Sequence, residues 1–240
     1  FNNFLYFKKK FKFKLDKVIL GVPGLVGLKY AFLFTKHSKE ILVANKESLV
    51  CGALVLLKEA KNNNCKITSI DSEHFSIYQI IKNKNLNNID SVFLTASGGP
   101  FLNKKAKSYS KANIKEVTNH PRWNMGSKIS VDSATMCNKI FELIEAHILF
   151  NIPVEKLKIK IHEESLVHSA IVFKDGLVHM VMHDTTMTIP IRNSIFENKF
   201  NKQSLNFFKS KNNIRLNFDE VKLSKFKILK TGYKVLKMGH

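Results

Sequence analysis

The sequence predicts an α/β protein, in which part of a parallel sheet with helices on its faces is followed by an α+β region. Short apolar runs alternate with helical patterns over residues 17–70, which is the rhythm of a parallel sheet. Hydrophobic residues make up 44% of the 240 residues, enough for one large or two small cores. No run of about 18 apolar residues occurs, so no membrane association is expected.

The first part of the chain contains three predicted strands and two predicted helices. The strands are expected at residues 17–20, 40–44 and 66–70. The helices are expected at residues 28–36 and 48–61, the second from the spacing of Leu49, Ala53, Leu56 and Ala60. Polar residues just past the strand ends of an open sheet are functional candidates. Residues 45–48 and 71–73 occupy such positions.

The second part mixes helices and strands. Helices are expected at residues 75–82, 134–150 and 227–238, and strands at 91–95 and within 158–182. Ser133 is the expected N-cap of the helix 134–150. Asp175-Gly176 is typical of a hairpin turn. Residues 97–100 are residue types that favour turns and are predicted to form a loop. Residues 104–115 are polar and are predicted to form a surface connection.

The net charge of +20 admits two interpretations. A basic protein can bind a polyanion such as nucleic acid. The lysines are scattered, however, and Lys, Asn, Ile and Phe are abundant throughout, which favours a composition bias over a nucleic-acid partner. The positive field would still attract a phosphorylated substrate.

The three cysteines and the first 14 residues bear on the compartment in which the protein is expected. Cys51, Cys65 and Cys137 lack metal-site spacing and cannot all pair, which indicates reduced thiols in a reducing compartment. Residues 1–14 alternate aromatics and lysines, as in a basic amphipathic strand or a degraded linker, and lack the apolar core of a secretory signal.

Gly21, Gly24 and Gly27 follow the first predicted strand with the spacing G-x-x-G-x-x-G. Such glycines can cradle a phosphate at a helix N-terminus. They can equally serve close backbone packing in a strand-to-helix turn, and we favour packing because no acidic residue directly ends the next strand.

Asp71, Glu73 and Glu142 are the candidate metal ligands. Asp71 and Glu73 are two residues apart, so at the end of an extended segment they would share a face. Two hard oxygen ligands there, with Glu142 as the third, would suit Mg²⁺ or Mn²⁺. The alternatives are a helix N-cap with an acidic first turn at residues 71–74, and a solvated helix face for Glu142.

A second group of side chains could bind a phosphate monoester. Hydroxyl, amide and ammonium donors are offered by Ser97, Ser133, Asn138 and Lys139. Ser133, at the expected helix start, would add the helix dipole. Residues 120–126 read as a mobile loop whose Trp123 covers a bound substrate, the alternative being that Trp123 packs into the core.

Five motifs together resemble the 1-deoxy-D-xylulose 5-phosphate reductoisomerase family. They are ANKESLV at 44–50, DSEH at 71–74, SGGPF at 97–101, HPRWNMGSKISVDSATMCNK at 120–139 and E-x-x-E-A at 142–146. The resemblance runs from about Leu15 to Ile191 and more weakly to His240. It implies that residues 1–70 are the C-terminal part of an NADPH-binding Rossmann-like domain, 71–200 a catalytic α+β domain, and 201–240 a segment connecting to a C-terminal helical domain.

The resemblance also implies an activity and a set of residue roles. The family uses NADPH and Mn²⁺ or Mg²⁺ to rearrange 1-deoxy-D-xylulose 5-phosphate and reduce the product to 2-C-methyl-D-erythritol 4-phosphate, in non-mevalonate isoprenoid synthesis. The implied metal ligands are Asp71, Glu73 and Glu142. The implied substrate contacts are the catalytic Lys46 and His120, together with Ser72, Ser97, Ser133, Asn138, Lys139 and Glu142. The implied NADPH contacts are Asn45, Glu47 and Gly126.

Further expectations follow from the same resemblance. A homodimer is expected for the intact enzyme, in the bacterial cytoplasm or alternatively in a plastid. The pyrophosphate loop of the cofactor domain would lie on an earlier strand. We therefore expect this chain alone to bind NADPH weakly or not at all, to retain some metal and phosphate binding, and not to turn over. A rival hypothesis is a basic nucleic-acid-binding module derived from the enzyme.

The chain departs from the family pattern at two places. Ile140-Phe141 stands where Gly-Leu is usual, and residues 183–187 read His-Asp-Thr-Thr-Met where a Gly-Glu/Tyr-Pro-Asp-Met stretch is usual. The candidate ligands are retained, whereas their surroundings differ.

Overall fold

A computed structural model describes residues 13–104, 109, 111–197 and 213–239. The chain divides into two compact units, residues 1–71 and 72–240. The basic segment 1–14, predicted as a strand or linker, lies almost entirely outside the described residues. The predicted surface connection 104–115 is described only in part.

The first unit is a parallel sheet with helices, as the sequence predicts. Its strands, in the order β1-β2-β3, are β1 (Leu15–Leu20), β2 (Ser38–Val43) and β3 (Lys66–Ser69). Its helices are α1 (Leu25–Thr35) and α2 (Lys46–Asn62). Leu20 pairs with Val43 and Val43 pairs with Ser69, so the carboxyl ends of the three strands are level. The residues after each strand therefore emerge at one edge of this sheet.

The core of the first unit follows the predicted helical spacing. The side chains on one face of α2 are all buried, namely Leu49, Ala53, Leu56 and Ala60. They are accompanied by the consecutive buried residues Ile41, Leu42 and Val43 of β2. A strand apolar at consecutive positions is typical of a parallel sheet covered on both faces.

The second unit contains a mixed sheet in the order β7-β6-β4-β5-β8. The strands are β4 (Ile89–Ala96), β5 (Leu157–Ile161), β6 (Val167–Phe173), β7 (Val178–Met182) and β8 (Asp219–Glu220). β4 pairs in parallel with β5 and antiparallel with β6. The hairpin between β6 and β7 turns at Asp175-Gly176, with Gly176 at φ 87°, as predicted. The α/β fold class is confirmed.

The described part of the second unit contains six α-helices. They are α3 (Ser72–Ile81), α4 (Ile114–Thr118), α5 (Ser127–Thr135), α6 (Cys137–Phe150), α7 (Thr188–Phe196) and α8 (Lys227–Met238). α3 packs against β6 and β7, and α6 packs against β4, α3 and α8. These contacts fix α3 and α6, the two helices that carry acidic candidate ligands.

The predicted N-cap at Ser133 is wrong. Ser133 lies in the last turn of α5, and its carbonyl accepts a hydrogen bond from the N–H of Met136. Met136 adopts a left-handed conformation with φ 66°, which ends α5 and precedes α6. Methionine seldom adopts this conformation, so the sequence carries no signal for the break. The helix dipole invoked for Ser133 is therefore absent at that residue.

No helix among the described residues is long and apolar enough to cross a membrane.

Candidate active site

The carboxyl groups of Asp71, Glu73 and Glu142 lie close together. One oxygen of each can be chosen so that the three lie within 4.8 Å of one another. Glu142, on α6, is only 1% exposed, which excludes the alternative of a solvated helix face. Three clustered carboxylates repel one another in a poorly hydrated site, so the group requires positive charge.

The local geometry at Asp71 and Glu73 differs from the prediction. The extended segment stops earlier, and Glu73 lies in the first turn of α3, which begins at Ser72. The alternative of an acidic helix start is therefore correct for the backbone. A carboxylate is stabilised there by the dipole of α3, and Asp71 remains close because one residue separates it from Glu73.

Lys139 supplies positive charge to two of these carboxylates. Its Nζ lies 2.7 Å from Oε1 of Glu73 and forms a second ion pair with Glu142, three residues further along α6. Burial disfavours the charged amine, but the adjacent carboxylates of Glu142 and Glu73 outweigh it and raise the pKa of Lys139. Asn138 donates from Nδ2 to Oε1 of Glu142. Both predicted phosphate ligands on α6, Asn138 and Lys139, thus face the cluster of three carboxylates.

His74 and Glu145 are buried beside these carboxylates, and the sequence motifs that contain them predicted no role for either residue. His74 is fully buried, and its Nε2 lies 3.0 Å from the carbonyl oxygen of Glu142, which can only accept. Its Nδ1 lies 3.6 Å from Oε2 of Glu145, which is 1% exposed. His74 thereby ties α3 to α6 at the metal candidates. The sequence could have indicated Glu145, because it lies three residues after Glu142 on the apolar face of α6.

Ser97 and His120 form a hydrogen-bonded pair with a defined tautomer. His120 Nδ1 accepts from the backbone N–H groups of Arg122, at 3.2 Å, and Trp123, at 2.9 Å. The proton of a neutral imidazole must then be on Nε2, which lies 2.9 Å from Oγ of Ser97. Burial lowers the pKa of His120, which favours this neutral form. Since Ser97 Oγ also accepts from the N–H of Gly99, at 3.2 Å, its own hydroxyl proton is available to another acceptor.

The loop after β4 lies directly against the end of α5. Gly99 has φ 65°, and a Cβ atom there would lie 3.1 Å from Cα of Ala134 and from the carbonyl oxygen of Ser133. Glycine is required for both the conformation and the contact. The structure therefore places the backbone of Ser133 beside the loop of Ser97, while Asn138 and Lys139 point to the carboxylates.

The burial of His120 predicts a pH dependence of stability. Because its pKa is lower in the folded protein than the ordinary 6.5, the unfolded chain binds more protons below that pH. The free energy of unfolding should therefore fall as pH decreases from about 7 to about 5.5. Urea titrations across this range should show a shallower fall for His120→Gln, since glutamine does not titrate. His183, whose pKa burial also lowers, should account for part of the remaining slope. Parallel pH profiles for the parent and His120→Gln would contradict the assignment.

In the first unit, Lys46 is held by Asp71. Its Nζ lies 2.6 Å from Oδ2 of Asp71, and both side chains are about 10% exposed. Lys46 is the first residue of α2 and Asp71 follows β3, so both occupy the edge where the strands end. In the second unit, Ser72 donates from Oγ to Oε2 of Glu73.

Asn45 holds the glycine-containing turn of the first unit. Its amide oxygen caps α2 by accepting from the N–H of Ser48, and its Nδ2 donates to the carbonyls of Val22 and Gly24. A Cβ atom at Gly27 would lie 2.3 Å from that Nδ2. This close approach favours the packing interpretation of Gly27. Asn45 was predicted to contact NADPH, and its side chain is committed to these three bonds.

The other two predicted cofactor residues have simpler surroundings. Glu47 lies in the first turn of α2 and is partly buried. Gly126 is exposed and precedes α5, where its carbonyl accepts from the N–H and the hydroxyl of Ser130.

Trp123 is half-buried, so it is neither free in solvent nor part of the core. Its ring meets His168 of β6 edge-on at a centroid distance of 5.8 Å. Two hydrogen bonds from backbone N–H groups to His120 Nδ1 anchor its loop. A third comes from Arg122, whose Nε donates to the carbonyl of Glu163 at 3.0 Å.

Comparison with known proteins assigns the family. Two sequence models match, "1-deoxy-D-xylulose 5-phosphate reductoisomerase" over residues 10–53 and its C-terminal domain over residues 67–150. A 1-deoxy-D-xylulose 5-phosphate reductoisomerase from Pelagibacter ubique is 42% identical over 234 residues, which are 95% of this chain and 60% of the relative. The chain belongs to the 1-deoxy-D-xylulose 5-phosphate reductoisomerase family.

Other reductoisomerases agree with this membership. The Clostridium kluyveri protein is 40% identical and covers 94% of this chain. A solved reductoisomerase in complex with NADPH, fosmidomycin and magnesium superposes with a TM-score of 0.86 at 36% identity over 93% of this chain. The Zymomonas mobilis enzyme in complex with NADPH gives a TM-score of 0.81 at 30% identity. The chain spans 57–60% of the length of these four proteins.

Proposed function

We propose that this chain provides the metal- and phosphate-binding part of a reductoisomerase. The reaction is the NADPH-dependent rearrangement and reduction of 1-deoxy-D-xylulose 5-phosphate to 2-C-methyl-D-erythritol 4-phosphate. The observation that carries the proposal is the group formed by Asp71, Glu73 and Glu142, with Lys139 buried against it, in a chain of this family. The relatives described above are reductoisomerases, which favours the enzyme over a nucleic-acid-binding module.

The carboxylate group fits Mg²⁺ or Mn²⁺. Both ions prefer hard oxygen ligands, and three carboxylates offer a suitable set. When bound, such an ion would polarise the substrate carbonyl and stabilise negative charge that develops on oxygen. Lys139 and Lys46 reduce the repulsion among the carboxylates and keep them in place.

The Ser97 loop provides a donor for the substrate phosphate. The neutral His120 donates to Ser97 Oγ, which leaves the serine proton directed elsewhere. The backbone of Ser133 lies against this loop at Gly99. Asn138 and Lys139 lie further along the chain, on α6. A phosphate needs several such donors, which these four residues would supply with a small rearrangement of the two α6 side chains. Lys46, Ser72 and His120 would contact the remainder of the substrate.

The cofactor contacts and the assembly are further parts of the proposal. Asn45, Glu47 and Gly126 would lie beside NADPH, Asn45 by shaping the turn that it holds. A homodimer in the cytoplasm of a bacterium, or alternatively in a plastid, is proposed for the intact enzyme on the family resemblance.

Metal-dependent binding of fosmidomycin tests the proposal, because a solved reductoisomerase holds fosmidomycin together with magnesium. Titration calorimetry with fosmidomycin should show binding when Mg²⁺ or Mn²⁺ is present and none in excess EDTA. Absence of metal-dependent binding would contradict the proposal, as would tight, strongly salt-dependent binding to DNA alone. Oxidation of NADPH with 1-deoxy-D-xylulose 5-phosphate would then test turnover directly.

A further inference from the structure

His183 belongs to a column of aromatic rings in the second unit. Its imidazole stacks on that of His168, with centroids 3.7 Å apart and an interplanar angle of 17°. The ring of His168 is in turn in T-shaped contact with the ring of Trp123, with centroids 5.8 Å apart. Phe75 of α3 contacts His183 edge-on at 6.3 Å. The column therefore runs from α3, through two histidines, to the loop of Trp123.

The orientation of His183 is fixed by its hydrogen bonds. Its Nδ1 lies 2.7 Å from the carbonyl oxygen of Asp184, so Nδ1 carries the proton of the neutral ring. Its Nε2 is buried and makes no hydrogen bond within the described part of the chain. A buried ring nitrogen without a partner has an energetic cost, which ring stacking at this position can offset.

The backbone at His183 also holds His168. The N–H of His183 donates to the carbonyl of Leu166 at 3.0 Å and extends the β6–β7 pairing. The carbonyl of His183 lies 3.3 Å from Nε2 of His168. His168 is thus held by the ring and by the main chain of His183, and its own ring is in T-shaped contact with that of Trp123.

The proposed chemistry does not use His183. We propose that His183 is a positioning residue that, through its stack on His168, holds Trp123 in the orientation in which the loop 120–126 covers the bound substrate. This rests on the proposed function for the identity of the substrate, whereas the ring column stands independently of it.

The fluorescence of Trp123 provides the test, because the chain contains a single tryptophan. In the 240-residue chain without ligand, His183→Ala should shift the emission to longer wavelength and increase quenching by acrylamide. His183→Phe restores a ring that can stack and should retain the parent spectrum. His179→Ala is the matched control, since His179 lies on β7 and contacts Phe173 instead.

The outcomes separate this inference from the proposed function. Folding of each variant is checked by circular dichroism and by its unfolding midpoint. Unchanged Trp123 fluorescence in a folded His183→Ala, or equal changes in His179→Ala, would overturn the inference. If the parent binds fosmidomycin with Mg²⁺, His183→Ala should weaken that binding several-fold and His183→Phe should restore it. If the parent does not bind fosmidomycin, the proposed function fails, and the ligand-free spectra still decide whether His183 positions Trp123.

Discussion

Replacing Glu142 with Gln should lower the affinity for Mg²⁺ and for a metal-dependent ligand by about 10–100-fold or more. The substitution conserves shape but removes a negative charge and a hard oxygen ligand from the group with Asp71 and Glu73. It also removes the charge of one of the two carboxylates that pair with the buried Lys139, and Glu73 is the other. Calorimetric titration of Mg²⁺, and of fosmidomycin at saturating Mg²⁺, would measure both losses.

Glu145→Gln is the matched control for Glu142→Gln. Glu145 lies on the same helix, is equally buried at 1% exposure, and faces Nδ1 of His74 instead of the carboxylate group. Its substitution should affect stability and leave Mg²⁺ affinity close to that of the parent. Equal losses of Mg²⁺ affinity in the two variants would show that burial of charge on α6, and not ligation, explains the effect.

Replacing Lys139 with Ala should destabilise the protein by about 3–5 kcal/mol, because it removes one member of a buried ion-pair network. Glu73 and Glu142 would then repel each other without the ammonium that lies between them. Lys128→Ala is the control: Lys128 pairs with Asp132 but is 60% exposed, so its loss should cost about 0.2–1 kcal/mol. Urea unfolding of the three proteins measures the difference. A loss no larger for Lys139→Ala than for Lys128→Ala would contradict the network.

The same variant tests the predicted phosphate contact of Lys139. Lys139→Ala should weaken binding of a phosphorylated ligand far more than binding of its unphosphorylated analogue. Lys139→Met, which keeps most of the side-chain volume, distinguishes loss of charge from loss of packing. Equal losses for both ligands would assign Lys139 to the carboxylate group alone.

Local patterns in the sequence were sufficient to predict much of the fold. The strands of the first unit, the buried face of α2 and the hairpin at Asp175-Gly176 depend on hydrophobic spacing and turn chemistry between near neighbours. The break between α5 and α6 was not predictable, because Met136 adopts a left-handed conformation that its residue type disfavours. Met136 is buried at this break, and Ser133 lies in the last turn of α5 instead of capping the next helix.

The same distinction between local sequence and tertiary structure applies to the candidate site. The sequence by itself determined which residue types are available: two acidic residues flanking Ser72, a third on a helix, and serines, lysines and a histidine in recognisable motifs. It did not determine that Lys139 faces Glu73, that His74 bonds the main chain of Glu142, or that His183 stacks on His168. These contacts join residues from 15 to 68 positions apart. Only the pairing of β4, β6 and β7 and the packing of α3 against α6 bring them together, because side-chain orientation at such separations is set by the tertiary structure and not by local spacing.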